Sequence, residues 1–230
     1  MYLVDSVDPL DDLFRSSRKG LFQRKLNHRL ELVREAYTVG VPALLMKSST
    51  DRLGLAAGYS FHLGTPDEVL RRIASWLLSN SDLDRLTQLK LHDLLWKRYG
   101  REDVALAALL LANIDIDDEQ RWARLSSVAG KRRSVAAESL LLSVEELFRA
   151  GRLPPPRDML ESWFDSGSVL GHLALLVSYN TYHSAIDDKM VNGEARNIPD
   201  WLNKRLQEIK LVNHDSLLVR IRNKLVSDEF

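Results

Sequence analysis

Apolar residues recur every three or four positions along most of this chain, which is the spacing of amphipathic helices. Two clear apolar stripes consist of Leu26, Leu30, Val33 and Tyr37, and of Val69, Leu70, Ile73, Trp76 and Leu77. Alternation with a period of two, which would indicate β-strands, is nearly absent. The pattern therefore predicts an all-α protein.

Capping residues mark where several of these helices begin. Thr65-Pro66-Asp67-Glu68 has the features of a helix start, with Thr65 as the cap and Pro66 in the first helical position. Ser81 is a candidate cap for the next helix, which is predicted to end near Gly100.

Glycine and proline divide the second half of the chain. Gly130 separates a short helix around Trp122 from the next predicted helix, and the prolines at 154–156 predict a rigid, extended connector. The polar residues 185–197 show no periodicity and are predicted to form a loop. Two amphipathic helices are predicted after it, one with Trp201, Leu202, Leu206 and Ile209, and one with Leu217, Leu218, Ile221 and Leu225.

Residues 104–112 and 169–177 are apolar on all sides, so each predicted helix must be covered from several directions. Gly100 follows Trp96 by four residues, and Ala107 and Leu109 come next, inside the first of these segments. At an offset of 67 positions, Gly167 follows Trp163 by four residues, and Ala174 and Leu176 lie inside the second. This echo predicts an α-α superhelix of antiparallel helix pairs, a HEAT-like helical repeat. The expected organisation is one helical domain over residues 1–230, with repeats over 65–230 and N-terminal helices of unclear role over 1–64.

Composition narrows the class of protein. Of the 230 residues, 45% are apolar and 28% are charged, which is typical of a globular domain. Cysteine is absent, which excludes disulfides and thiol catalysis. The first ten residues lack the features of a signal peptide and no apolar stretch is long enough to span a bilayer, so we expect a cytoplasmic protein without a membrane partner.

Motifs for cofactors and metals are missing from the sequence. No glycine-rich phosphate loop or nucleophile elbow is present, so no cofactor is expected. His183, Asp187 and Asp188 are the nearest approach to a metal cluster, and we interpret them as a solvated turn. A second acidic group consists of Asp115, Asp117, Asp118 and Glu119. It lacks the central glycine of an EF-hand and is expected to place negative charge at the start of the Trp122 helix.

A basic group offers a candidate binding surface. It consists of Arg121, Arg124, Lys131, Arg132 and Arg133, with Trp122 as an aromatic ring that could stack on a base. The net charge of zero leaves a second interpretation open, in which these cations are ordinary solvated surface.

Two segments resemble a known family. Leu95-Trp96 with Arg101-Glu102 and residues 107–109 is similar to one repeat of the HEAT-like DNA alkylation repair glycosylases, and residues 163–166 with Leu173-Ala174 resemble a later repeat. The resemblance covers about residues 65–180. It implies a solenoid that holds duplex DNA against a catalytic aspartate, flanking tryptophans and an arginine, and that removes alkylated purines.

At the positions that carry chemistry in that family, this chain departs from the pattern. The aspartate position falls near Glu138, which the resemblance makes the candidate catalytic carboxylate, and the tryptophan pair falls near Arg133 and Ser134. The arginine position falls at Leu173, and the C-terminal aromatic has no counterpart near Asn223. We therefore expect a nucleic-acid-binding relative of the repair proteins with weak or absent glycosylase activity. Two alternatives remain, an active glycosylase using Glu138 and a protein-binding scaffold without a nucleic-acid role.

Overall fold

The computed structural model describes residues 8–21, 26–39, 41–43, 46, 58–79, 83–182, 198–211 and 216–226. Within these residues every regular element is helical, which confirms the predicted all-α class. The helices are α1 (Pro9–Leu21), α2 (Leu26–Thr38), α3 (Asp67–Ser79), α4 (Arg85–Arg98), α5 (Arg101–Asn113), α6 (Asp118–Gly130), α7 (Ala137–Arg149), α8 (Arg157–Asp165), α9 (Ser168–Tyr182), α10 (Asp200–Glu208) and α11 (Ser216–Val226). The predicted loop 185–197 and the group around His183 lie outside the described residues, as does Ser81. The cap of α4 is Asp84, which accepts a 2.6 Å hydrogen bond from the amide of Thr87, so the prediction that Ser81 caps this helix was wrong.

The chain forms two compact units, Met1–Asp115 and Ile116–Phe230. In the first unit, α5 packs against α3 and α4, while α2 packs against α1, α3 and α4. Almost every residue of α5 is buried, including its polar first turn. The apolar segment 104–112 is therefore covered on all sides, as its sequence predicts, and α2 belongs to the same compact unit as the helices that follow residue 64.

The second unit is organised around α9, which packs against α6, α7, α8 and α11. Residues 171–178 in the middle of α9 are all buried. Helix α10 completes the unit by packing against α11. The second all-round apolar segment is thus also the core helix of its unit, which confirms the second of these two predictions.

The two glycines of the sequence echo serve different purposes. Each follows a helix with a buried tryptophan, Trp96 or Trp163, and precedes a core helix. At the first position Tyr99 adopts the left-handed conformation (φ 60°), and a Cβ on Gly100 would lie 2.1 Å from Cζ of Phe61. At the second, Gly167 itself has φ 101° and has nothing near its missing Cβ. One glycine allows close packing, and the other allows a backbone turn.

The start of α3 differs from the sequence expectation. The helix begins at Asp67, and the oxygen of Pro66 accepts from the amides of Val69 and Leu70, so Pro66 and not Thr65 lies directly before the helix. The prediction was therefore wrong about both residues by one position. The hydroxyl of Thr65 donates a 2.9 Å hydrogen bond to the backbone oxygen of Tyr37 on α2.

Candidate nucleic-acid interface

Helix α6 carries the candidate site and has opposite charges at its two ends. The side chain of Asp117 caps it by accepting a 2.7 Å hydrogen bond from the amide of Gln120, and Asp118 and Glu119 occupy its first turn. This arrangement confirms the interpretation of the acidic run, because carboxylates are stabilised at the positive end of the helix dipole. The cations lie along the helix and beyond its last residue, Gly130.

Arg121 is buried, with only 2% of its surface exposed. Its Nε donates a 3.2 Å hydrogen bond to Oδ1 of Asp118, and one Nη donates to the backbone oxygen of Ile116 at 2.7 Å. These bonds fix the chain that leads into α6. The prediction that Arg121 binds nucleic acid was therefore wrong, because its guanidinium is enclosed and cannot reach a phosphate.

Trp122 is completely buried. Its ring packs near those of Phe148 and Trp163, with centroids 5.9 Å and 6.4 Å away, and its Nε1 donates a 2.8 Å hydrogen bond to the backbone oxygen of Leu153. A ring in this position cannot stack on a base while the unit is folded. The prediction that Trp122 contacts nucleic acid was therefore wrong, and the residue belongs to the core.

The remaining four cations keep contact with solvent. Lys131 and Arg133 are exposed, while Arg124 and Arg132 are half-buried. Lys131 is the C-cap of α6, and the amide of Arg132 donates to the oxygen of Ala129 at 3.0 Å, so the backbone of this turn is tied to the helix. We call these four residues the basic turn.

Six residues separate the end of α6 from the start of α7, and Ala136 is in the capping position. Alanine has no polar side chain with which to cap, so the first amides of α7 provide a positive dipole beside the basic turn. Glu138 is half-buried in this first turn. In the sequence it follows Arg133 by five residues, and its catalytic role stays a prediction.

Two other positions implied by the family resemblance lack the side chain that the family has there. Leu173 lies at the arginine position and is completely buried in α9, and Asn223 is exposed on α11. In the described part of the chain, no three histidine, cysteine, aspartate or glutamate side chains are grouped so that they could hold a metal ion.

A titratable residue on α7 escaped the sequence analysis. Glu145 lies two helical turns after Glu138 and is half-buried. Burial raises the pKa of its carboxyl above the ordinary value, and the neighbouring Glu146 raises it further while Arg149 lowers it. Partial burial of a single glutamate leaves no mark in the hydrophobic pattern, so it could not be seen in the sequence.

The first unit contains a buried ionic cluster that the sequence analysis also missed. Asp103, in the first turn of α5, is completely buried and accepts from Nε of Arg98 at 2.7 Å and from an Nη of the same residue at 2.5 Å. It also accepts from the hydroxyl of Tyr37 at 3.0 Å and from the amide of Gly100 at 3.2 Å. Arg98 in turn donates to the backbone oxygen of Leu30 at 2.9 Å. The cluster joins α2, α4 and α5.

Glu102, beside Asp103, is equally buried and holds a different segment. Its Oε1 accepts hydrogen bonds from the backbone amides of Leu63, Gly64 and Thr65 at 2.8, 2.9 and 3.4 Å. Three donors on one oxygen fix the chain just before α3. All of these bonds come from groups of the same unit, so we interpret the pair as structural. Among the described residues, Oε2 of Glu102 is buried without a hydrogen-bond partner.

A cleft of about 470 Å³ lies in the second unit, where α8 ends, α9 begins and α10 ends. Asp165 and Arg205 line it and are paired with each other at 2.8 Å, and Glu208 and Lys210 also contribute one charge of each sign. The lining therefore has no net charge that would select an anion or a cation.

No protein-family model, curated protein or solved structure matches this chain. The likeness to the alkylation repair proteins thus stays a prediction. No described helix combines the length and the apolar character that a bilayer span requires.

Proposed function

We propose that this chain is a HEAT-like relative of the DNA alkylation repair proteins that binds duplex DNA through its phosphates and has weak or no glycosylase activity. The observation that carries the proposal is the basic turn, in which Lys131 and Arg133 are exposed and Arg124 and Arg132 retain partial exposure. Contacts to phosphate need positive charge within reach of solvent rather than a particular base-reading residue.

The local excess of positive charge supports this proposal, although the net charge of the chain is zero. Between Glu119 and Glu138 the sequence contains five cationic side chains and no acidic one. Only Arg121 among the five is enclosed. The start of α7 adds the positive end of a helix dipole to the same segment, where Glu138 contributes one opposing charge. A phosphate near the basic turn would therefore meet positive charge from both side chains and backbone.

Salt dependence is the direct test. Fluorescence anisotropy of a labelled duplex, titrated with the protein at low and at moderate salt, should show binding that weakens steeply as salt rises. Each phosphate contact contributes a slope of about −0.9 in log K against log salt. Absence of binding at low salt, or binding that salt does not change, would contradict the proposal.

Charge reversal identifies the surface. In the double variant Lys131→Glu/Arg133→Glu, we expect the affinity for duplex DNA to fall. The slope of log K against log salt should become shallower by the contribution of about two phosphate contacts. The matched control is Lys90→Glu/Lys97→Glu, which reverses two exposed cations on α4. Equal loss in both variants would show that only net charge matters and that the basic turn is not the binding site.

A protein-binding scaffold is the alternative function, and it predicts a broad exposed apolar surface. Among the described residues, the large apolar side chains that are exposed are Leu86 and Leu153, at 58% and 69%. One exposed leucine on each unit does not make an apolar groove, so phosphate binding is the better-supported proposal.

A further inference from the structure

Ser134 directly follows the three consecutive cations of the basic turn. The sequence of residues 131–135 is Lys, Arg, Arg, Ser and Val. Ser134 and Arg133 are both exposed, and residues 134–136 belong to no regular element. The serine hydroxyl is therefore open to a second protein, and the proposed contacts of the basic turn to DNA do not use it.

The residues around Ser134 have the charge pattern of a substrate of basophilic serine kinases. These enzymes use acidic residues of their own cleft to recognise cations two and three positions before the acceptor serine, and many of them favour an apolar residue directly after it. Residues 131–133 supply both of these cations and one more, and Val135 follows the serine. The nearest acidic residue in the sequence is Glu138, so no carboxylate interrupts the pattern.

The conformation of this segment also suits a kinase, which binds the residues around its acceptor as an extended chain. Ser134 lies outside any helix, and Ala136 has extended backbone angles of φ −61° and ψ 137°. Ser75 and Ser127 are also exposed and also follow an arginine by three positions. They lie inside α3 and α6, so a kinase would have to unwind a helix to reach them. Of these three serines, Ser134 is the accessible acceptor.

A phosphate on Ser134 would change the charge of the basic turn. A phosphoserine carries a charge of about −1.5 to −2 at neutral pH. The basic turn has four cations, so the modification cancels up to about half of its charge. The added phosphate also repels the phosphates of a duplex. Phosphorylation is therefore expected to weaken the binding of DNA, because that binding depends on how many phosphates the protein neutralises.

We propose that Ser134 is a phosphorylation site for a basophilic serine kinase and that its modification switches off DNA binding by the basic turn. In the reaction, Oγ of Ser134 attacks the γ-phosphorus of ATP, the bond between that phosphorus and the bridging oxygen breaks, and ADP leaves with the electron pair. The hydroxyl proton passes to the catalytic aspartate of the kinase. The effect on DNA rests on the proposed function, whereas the role of Ser134 as acceptor does not.

The acceptor is tested with the full chain, radiolabelled ATP and the catalytic subunit of cAMP-dependent protein kinase, which is a basophilic enzyme. We expect incorporation of phosphate, which mass spectrometry of the product assigns to Ser134. Ser134→Ala should abolish most of this incorporation. The matched control is Ser127→Ala, which removes an exposed serine inside α6 and should leave the incorporation unchanged. The acceptor site is overturned if the natural chain takes up no phosphate, or if Ser134→Ala takes up as much.

The effect on DNA is measured by anisotropy of a labelled duplex with the phosphorylated and the unmodified chain. Phosphorylation should lower the affinity by at least about tenfold at moderate salt, and the slope of log K against log salt should become shallower by about two phosphate contacts. Treatment with a phosphatase should restore both values. Ser134→Ala that has been incubated with the kinase should bind as tightly as the unmodified chain.

The outcomes separate this inference from the proposed function. Equal affinity of the phosphorylated and unmodified chains would overturn the switch while leaving DNA binding in place. Absence of binding by the unmodified chain would contradict the proposed function and the switch together. Labelling of Ser134 would then still establish the acceptor site, because that measurement contains no DNA.

Discussion

The hydroxyl of Tyr37 donates a 3.0 Å hydrogen bond to Oδ1 of Asp103, and both groups are completely buried. The two residues lie 66 positions apart, on α2 and α5. The same carboxylate also accepts hydrogen bonds from the guanidinium of Arg98, which neutralises its charge. The phenol adds a hydrogen bond where a water molecule would bind an exposed carboxylate. This relationship makes the stability of the first unit depend on one hydroxyl.

Tyr37→Phe removes only that hydroxyl. We expect the free energy of unfolding to fall by about 1.5–3 kcal/mol, the range for a hydrogen bond to a charged partner. Urea titration at neutral pH, followed by circular dichroism, measures the change. A loss near zero would mean that the hydroxyl contributes nothing to holding Asp103.

The same tyrosine makes the protein sensitive to alkali. Burial raises the pKa of Tyr37 well above its ordinary value of 10.0, and the charge of Asp103 raises it further. Above this ordinary value the unfolded chain loses the proton while the folded chain keeps it. Stability therefore falls as the pH rises, by up to about 1.4 kcal/mol per pH unit from this group. Urea titrations between about pH 8 and about pH 11 should show a shallower decline for Tyr37→Phe than for the natural chain.

Glu102 offers a test of the segment before α3. Glu102→Ala leaves the amides of Leu63, Gly64 and Thr65 without their acceptor, and should cost about 1–3 kcal/mol of unfolding free energy. Glu102→Gln keeps an oxygen in place and should cost less than half as much. Equal losses in urea titration would show that the charge, rather than the acceptor, holds the segment.

The glycines at 100 and 130 should respond oppositely to alanine. A Cβ at Gly100 would meet the ring of Phe61 at 2.1 Å, so Gly100→Ala should destabilise the protein by about 3 kcal/mol through overpacking. At Gly130 the nearest atom, Cδ1 of Leu170, is 3.6 Å away, which is ordinary contact. Gly130→Ala should raise stability by about 0.5 kcal/mol because alanine favours the helix. Thermal melts compare the two, and a destabilised Gly130→Ala would refute the second expectation.

Glycosylase activity is expected to be weak or absent. At the positions where the family resemblance implies a tryptophan pair and an arginine, this chain has Arg133, Ser134 and Leu173, which do not provide the same contacts to a lesion. Incubation with methylated DNA should release no more bases than the spontaneous rate, for both the natural chain and Glu138→Gln. Release by the natural chain that disappears in Glu138→Gln would establish the active-glycosylase alternative.

The all-α fold and its two core helices could be predicted from the sequence, because a helix that is buried on all sides has apolar residues on every face. Residues 104–112 and 169–177 contain no polar face, and the structure places both at the centre of a unit. The site was harder to predict. Arg121 and Trp122 lie next to charged residues in the sequence, yet Asp118 and the backbone of Leu153 enclose them. Which neighbour covers a helix face is decided by tertiary packing, and helical periodicity does not contain that information.

The ionic cluster of the first unit is a second case in which the sequence predicts burial but not the partner. The apolar stripe of α2 includes Tyr37, so its burial was predictable. Its hydrogen bond to Asp103 was not, because the two positions are far apart in the chain and their partnership depends on how α2 meets α5.

Because Tyr37, Arg98 and Asp103 hydrogen-bond to one another in the core, their substitutions should be linked in evolution. Loss of Arg98 alone would strand a buried negative charge, whereas replacement of all three by apolar residues of similar volume can be tolerated or even beneficial. Single substitutions at these three positions should therefore be selected against more strongly than the joint replacement of all three. Descendants of this gene are expected either to keep the complete trio or to have exchanged it as a set.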